Sequence, residues 1–129
     1  MIDFLLDTNV IIYAYSEHPT YLHFLRTVAG KTLGMSMITY IEILVGARSD
    51  IEERELENFL DNFRLVPITS PIAKEIARWI RRKKQKGLRH PGVSDTIIGQ
   101  TALSQNVPLV TNNPKDFSAF KSLKLIIPE

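Results

Sequence analysis

The sequence predicts an α/β fold built on a parallel sheet, and three observations carry that prediction. Short apolar runs bounded by polar turns alternate along the chain with longer segments of helical period, the pattern left by strands joined through crossover helices. The first run, Phe4-Leu5-Leu6, ends on Asp7, so a carboxylate stands at the carboxyl end of a buried strand, where open α/β sheets bind their ligands. The chain has 129 residues, of which 44% are hydrophobic and 23% charged. That is ordinary globular composition and enough chain for one domain with a true core.

Each element follows from local chemistry. Phe4-Leu5-Leu6 has no helical period and reads as a buried parallel strand. Residues 10–15 are apolar all round and read as a short buried helix, with Asp7 also eligible as a helix cap. His18-Pro19-Thr20 breaks that helix. Pro19 suits the first turn of a second helix with an apolar stripe of Leu22, Leu25, Val28 and Ala29, stopped by Gly30. Residues 33–37 form a second strand. In the helix after it, Thr39 and Glu42 have the T-x-x-E spacing of a capping box, and Gly46 lies near the end. Ser49 and Asp50 open a further helix, with Glu52 and Glu53 in its first turn and a core face of Leu56, Phe59, Leu60 and Phe63.

Residues 65–68 make a third strand, which Pro67 places at a sheet edge. Residues 71–86 form a helix with Ile72, Ala73, Ile76, Ala77 and Ile80 inward and Gly87 at its end. Gly92-Val93-Ser94 leads into a helix over 95–105, buried through Ile97, Ile98, Thr101 and Ala102. Residues 107–111 and 123–127 complete a set of five short strands. No repeat, low-complexity tract or linker interrupts residues 1–129, so the expectation is a single domain.

Composition excludes several classes. No apolar run approaches the roughly 20 residues of a membrane span, and Asp3 and Asp7 argue against a signal peptide; a soluble, cytoplasmic protein is expected. With no Cys there is no disulfide framework, no thiolate catalysis and no Cys-type zinc site. Any metal falls to oxygen ligands or to His18, His23 and His90, which sit in turn or surface contexts. Nothing resembles a Ser-His-Asp triad.

Three acids occupy equivalent settings: Asp7 at a strand end, Glu42 just inside a helix, and Asp95 at a helix start. Each has a bland explanation, Asp7 as an N-cap, Glu42 as a capping-box partner and Asp95 as an acid favoured by the helix dipole. Together they have another, because carboxylates gathered in one cleft repel each other unless a cation neutralises them. Oxygen-only ligands favour magnesium or manganese. The fourth strand adds a further polar exit, Thr111-Asn112-Asn113-Pro114-Lys115-Asp116, whose first residues are also common turn formers.

LLDTN at the start, S-x-I-T-x-x-E from Ser36, S-D-x-x-I from Ser94 and LVTNNPKDF from Leu109 together resemble the PIN-domain nucleases, in particular the VapC-type toxins, the ribonuclease halves of toxin–antitoxin pairs. The resemblance runs from Phe4 to about Ile127. It implies a three-layer α/β/α sandwich and assigns Asp7, Glu42 and Asp95 to the family's acidic metal positions. Asp116, or Asn112 or Asn113, matches the less regular fourth position. It further implies Mg2+ or Mn2+ as cofactor, RNA as substrate, an antitoxin as partner and a homodimer. One departure is Thr96-Ile97-Ile98-Gly99-Gln100, where relatives often carry alanines and where Gln100 needs a polar partner.

Phosphodiester hydrolysis needs charge neutralised in the transition state and a water made nucleophilic, both supplied by divalent metal. Asp7 and Asp95 are expected to hold the main ion, with Glu42 and Asp116 completing the pocket. Thr8, Thr111 and Asn113 are candidates for positioning a phosphate oxygen or water. The net charge is only +2, yet Arg78, Arg81, Arg82, Lys83, Lys84, Lys86 and Arg89 gather ahead of Asp95. Arg82, Lys84 and Arg89 are candidates for the RNA backbone, against the alternative of a solvated helix end. Trp79 is a candidate for a partner interface. A phosphatase of the haloacid-dehalogenase type needs an Asp two residues after the first, where this chain has Asn9. The remaining rival is a PIN-like fold that binds RNA or protein without cutting.

Overall fold

The computed structural model describes residues 1–129. Five strands, β1 (Phe4–Leu6), β2 (Leu33–Ser36), β3 (Arg64–Val66), β4 (Leu109–Val110) and β5 (Leu125–Ile126), form one sheet in the order β3-β2-β1-β4-β5, every pair parallel. Six α-helices connect them: α1 (Thr8–Tyr15), α2 (Pro19–Thr27), α3 (Met37–Val45), α4 (Asp50–Leu60), α5 (Ser70–Gln85) and α6 (Val93–Gln105). A 3-10 turn, Pro114–Phe117, follows β4.

Side chains alternate across the strands, and the alternation sorts the core in two. Leu6, Met35 and Val110 pack with Val10, Ile11, Phe24, Ile43 and Leu60 from α1 to α4. Leu5 and Leu109 face the other way, onto Ile98 and Ala102 of α6 and onto Phe117 and Phe120. Both faces of the sheet are therefore covered, which is why its strands are apolar at successive positions. The result is the expected three-layer α/β/α sandwich. Winding reverses at β1, which has β2 on one side and β4 on the other. The carboxyl ends of β1 and β4 thus flank the topological switch point, the crevice where this architecture places its ligands.

The helical faces differ from expectation most in α1, α2 and α5, and Phe59 of α4 and Ile97 of α6 are half-buried where full burial was expected. In α1 only Val10, Ile11 and Ala14 are buried, while Ile12 and Tyr13 are each 39% exposed, because a helix lying on a sheet presents only one side to it. In α2 the core residues are Tyr21 and Phe24; Leu25 and Val28 only flank them, Leu22 is half-buried and Ala29 is exposed. Tyr21 takes the central place because its ring packs against Tyr13 and His18, with centroids 5.0 and 5.1 Å away. In α5 only Ile76 is buried, Ile72 and Ile80 are half-buried, and Ala73 and Ala77 are exposed. This helix packs on α6 rather than on the sheet.

The edge position of β3 is as Pro67 indicated, although the strand stops at Val66, short of the residue that lacks a ladder donor. Trp79, far from awaiting a partner, stacks on Phe120 with centroids 4.7 Å apart and planes 10° from parallel, and Lys83 lies over its ring. Gly99 makes room for this stack, since a Cβ there would meet the Phe120 ring at 2.7 Å. Small size is the requirement that alanines also approach. Gln100 is half-buried at a groove beside Pro71 and Glu75, so it needs no internal partner. No helix is long and apolar enough to cross a membrane.

Candidate active site

Asp7 caps α1 and stands at the carboxyl end of β1, at the switch-point crevice. It leaves β1 with extended backbone and starts α1, its Oδ1 accepting from the Thr8 amide at 2.8 Å. Its Oδ2 accepts from the Thr111 hydroxyl, also at 2.8 Å. Register makes this possible, because Leu6 pairs with Val110 and the next residues on the two strands become neighbours. Thr111 is fully buried and also accepts from the Asn113 amide at 3.0 Å. Its one proton and its exposure are spent, so it positions Asp7 and does not meet substrate. That corrects its expected role.

Glu42 is not a capping-box residue. Ser36 caps α3, accepting from the Ile38 amide at 3.3 Å, which puts Thr39 inside the helix and Glu42 in its second turn. Glu42 instead accepts the Thr8 hydroxyl at 2.9 Å, and Thr8 Oγ1 lies 2.9 Å from that of Thr39. A chain of hydroxyls thus ties α1 to α3 and aims Glu42 toward the end of β1. Thr8 braces an acid, as Thr111 does.

Asp95 lies in the first turn of α6, whose cap, Gly92, offers no side-chain bond. Asp116 lies in the 3-10 turn after β4, exposed, its Oδ2 accepting from Asn113 Nδ2 at 2.6 Å. Two of the three candidates for the fourth position are therefore one unit, Asn113 holding Asp116. The third, Asn112, has its Oδ1 buried without a partner.

The four carboxylates act on one another. Burial raises the Asp7 pKa, the bonds from Thr111 and Thr8 offset part of that, and Glu42 and Asp116 push it up again. Asp95 is pushed up to about 6, first by burial and then by Asp116, Asp7 and Glu42, with no hydrogen bond to offset them. As the side chains stand, no three acidic or imidazole groups converge closely enough to hold an ion; Asp7 and Glu42 are turned to hydroxyl partners, Thr111 and Thr8. Oxygen-only carboxylate donors that repel one another fit a hard divalent cation.

A cavity of about 440 Å3 opens beside Asp95 and Asp116, with Arg89, His90, Lys115 and Ser118 on its wall. Of the basic candidates it takes in Arg89 alone; Arg82 and Lys84 are exposed on the last turn of α5 and do not line it. His90 and Lys115 were not legible as site residues. Lys115 adjoins Asp116 in sequence, a signal available but unspecific, and His90 is brought in only by packing.

The PIN domain family model matches residues 4–123. The chain is 29% identical over 128 residues to a curated protein called ribonuclease VapC2, from Rickettsia felis, covering 95% of each. Among solved structures it is similar to one of VapBC2 from Rickettsia felis bound to a promoter DNA fragment, with a TM-score of 0.82, 26% identity, and coverage of 99% of this chain and 100% of that one. It is also similar to a toxin–antitoxin complex from Klebsiella pneumoniae, with a TM-score of 0.77, 26% identity and 98% of each chain covered. A family model spanning nearly the whole chain shows that this protein belongs to the PIN domain family.

Proposed function

We propose that this chain is a Mg2+- or Mn2+-dependent endoribonuclease and the toxin of a toxin–antitoxin pair. One observation carries the reading: Asp7, Glu42, Asp95 and Asp116 come from four separate segments to one crevice, where the charges of Glu42 and Asp116 push up the pKa of both Asp7 and Asp95. A protein that only needed caps and helix-dipole partners would have no reason to oppose them. The ribonuclease naming of its relative and the toxin–antitoxin complex among its structural neighbours point the same way.

Asp7 and Asp95 would hold the main ion, with Glu42 and Asp116 completing the shell. Such an ion supplies charge neutralisation on the phosphoryl oxygens and activation of a water. The chain's own part is orientation. Thr111 and Thr8 fix Asp7 and Glu42, and Asn113 fixes Asp116. At neutral pH Asp95, at about 6, is ionised and available as a ligand.

The partners in this reading are RNA, a cognate antitoxin and a second copy of the chain. Support for the antitoxin is a largely apolar groove beside Glu42, where Ile12, Tyr15 and Phe59 stand over the buried Ile11, Ile43 and Leu56 and the Arg48–Glu52 ion pair forms one wall, since apolar grooves mark interaction sites. The test is incubation of purified protein with total RNA in Mn2+, in Mg2+ and in EDTA, with Asp7→Asn as control. Cleavage that needs metal and Asp7 is expected. RNA binding without cleavage under every condition would instead establish the non-catalytic PIN-like module.

A further inference from the structure

We infer that the cavity beside Asp95 and Asp116 is a ribose-phosphate subsite for the nucleotide flanking the cleaved bond. Arg89 and Lys115 hold its phosphate and His90 reads its 2′-hydroxyl. The inference rests on the RNA-cleaving function proposed above and names how the RNA lies in the site.

Three observations lead to it. At about 440 Å3 the cavity is within the range of small-ligand pockets, roughly 300 to 1,000 Å3. Its wall carries both charges, with Asp95 and Asp116 lining the same space as Arg89 and Lys115. Neither cation is paired with either acid, because the ion pairs of the chain are Arg48 with Glu52 and Arg78 with Glu75. Two cations left unpaired beside two carboxylates are placed to meet an anion from outside, and the phosphates of RNA present one at every nucleotide.

His90 supplies the third observation. Its Nδ1 lies 2.8 Å from the carbonyl oxygen of Pro91. A carbonyl only accepts, so Nδ1 carries the proton and donates. In the neutral ring Nε2 is then an acceptor, and His90 lines the same cavity as the two cations. Phosphate oxygens have no proton to give. The ribose 2′-hydroxyl does, and it is the group by which a protein tells RNA from DNA.

The experiment measures binding of the full-length wild type in EDTA, so that the probe survives. The probes are a mixed-sequence 12-nucleotide single-stranded RNA and the DNA of the same sequence, followed by fluorescence anisotropy across a salt series at pH 8. Lys115→Ala and Arg89→Ala are each expected to lower the slope of log affinity against log salt by about 0.7, weakening RNA and DNA alike. Lys124→Ala, a cation removed just ahead of β5 at the other end of the sheet, keeps the wild-type slope. His90→Ala keeps the slope and lowers the preference for RNA over DNA about 5-fold, the worth of one hydrogen bond. His90→Gln, whose Oε1 is also an acceptor, restores part of that preference. Thermal melts confirm that each variant is folded.

Unchanged slopes in Lys115→Ala and Arg89→Ala would overturn the subsite, as would an equal loss in Lys124→Ala. A wild type indifferent between RNA and DNA, or a His90→Ala protein with undiminished preference, would overturn it too. The two proposals fail separately. Lowered slopes without Mn2+-dependent cleavage would remove the nuclease and leave the subsite; cleavage with unchanged slopes would do the reverse.

Discussion

The two sides of the acidic crevice are built differently. On the side of β1, Asp7 is 6% exposed and both its oxygens are hydrogen-bonded, while Glu42 is tied through Thr8 toward a fully buried Thr39. On the side of α6 and the 3-10 turn, Asp95 has no hydrogen bond to offset its burial and Asp116 is exposed, held by Asn113 alone. One side is fixed before anything binds, because moving Asp7 breaks a helix cap and an inter-strand contact together. The other is held by a single side-chain bond, from Asn113 to Asp116. Metal and phosphate sites gain from this division, since fixed donors set the geometry and adjustable ones complete it.

The largest effect that tests the contrast is on turnover. Asp7→Asn and Asp95→Asn should each lose on the order of a thousand-fold in cleavage rate, the several kcal/mol attributed to an ion's charge stabilisation. Their stabilities should diverge. Asp95→Asn removes a repelled carboxylate and no hydrogen bond, so its metal-free melting temperature should rise. Asp7→Asn gives up part of the Thr111 bond and should change little. The opposite order in calorimetry would mean that the two sides had been assigned the wrong way round.

Glu42→Gln comes next. The amide oxygen can still accept from Thr8, so the fold should melt as the wild type does, while cleavage at saturating Mn2+ falls roughly a hundred-fold for want of the charge. Wild-type rates would return Glu42 to a purely structural role.

Support residues should show the contrast directly. Thr111→Val takes a donor from Asp7 and an acceptor from the Asn113 amide, so it should cost roughly 1–3 kcal/mol in denaturant unfolding and about 10-fold or more in activity. Asn113→Ala, on the adjustable side, should stay within about 0.5 kcal/mol. Equal costs would erase the distinction.

The smallest effect is on the pH dependence of stability without metal. Asp95 titrates at about 6 in the folded protein, above its ordinary 3.8, and Asp7 is shifted the same way. The folded state therefore holds these protons more tightly, and stability falls as pH rises from about 4 to about 6, then levels off. For the half-exposed Asp95, solvent screening reduces the effect to about 1 kcal/mol, a few degrees in melting temperature. The EDTA-treated protein should melt higher at pH 5 than at pH 7, and Asp95→Asn should remove most of the difference.

Sequence alone determined the alternation of strands and helices and the edge placement of β3 through Pro67, and it singled out Asp7, Glu42 and Asp95 as candidates while leaving the fourth position open among Asn112, Asn113 and Asp116. These are properties of local period, turn chemistry and strand-exit position, each legible within a few residues. Tertiary structure decided the rest. Whether Glu42 capped its own helix or faced the crevice turned on Ser36 taking the cap. Whether Thr111 met substrate turned on the pairing of β1 with β4, which buried it against Asp7. Tyr21 and Trp79 found their places through rings far off in sequence, and His90 and Lys115 joined the site because the loop before α6 packs beside the 3-10 turn. Period and propensity report what one residue owes its chain neighbours; these assignments depended on contacts made across the fold, which no local pattern encodes.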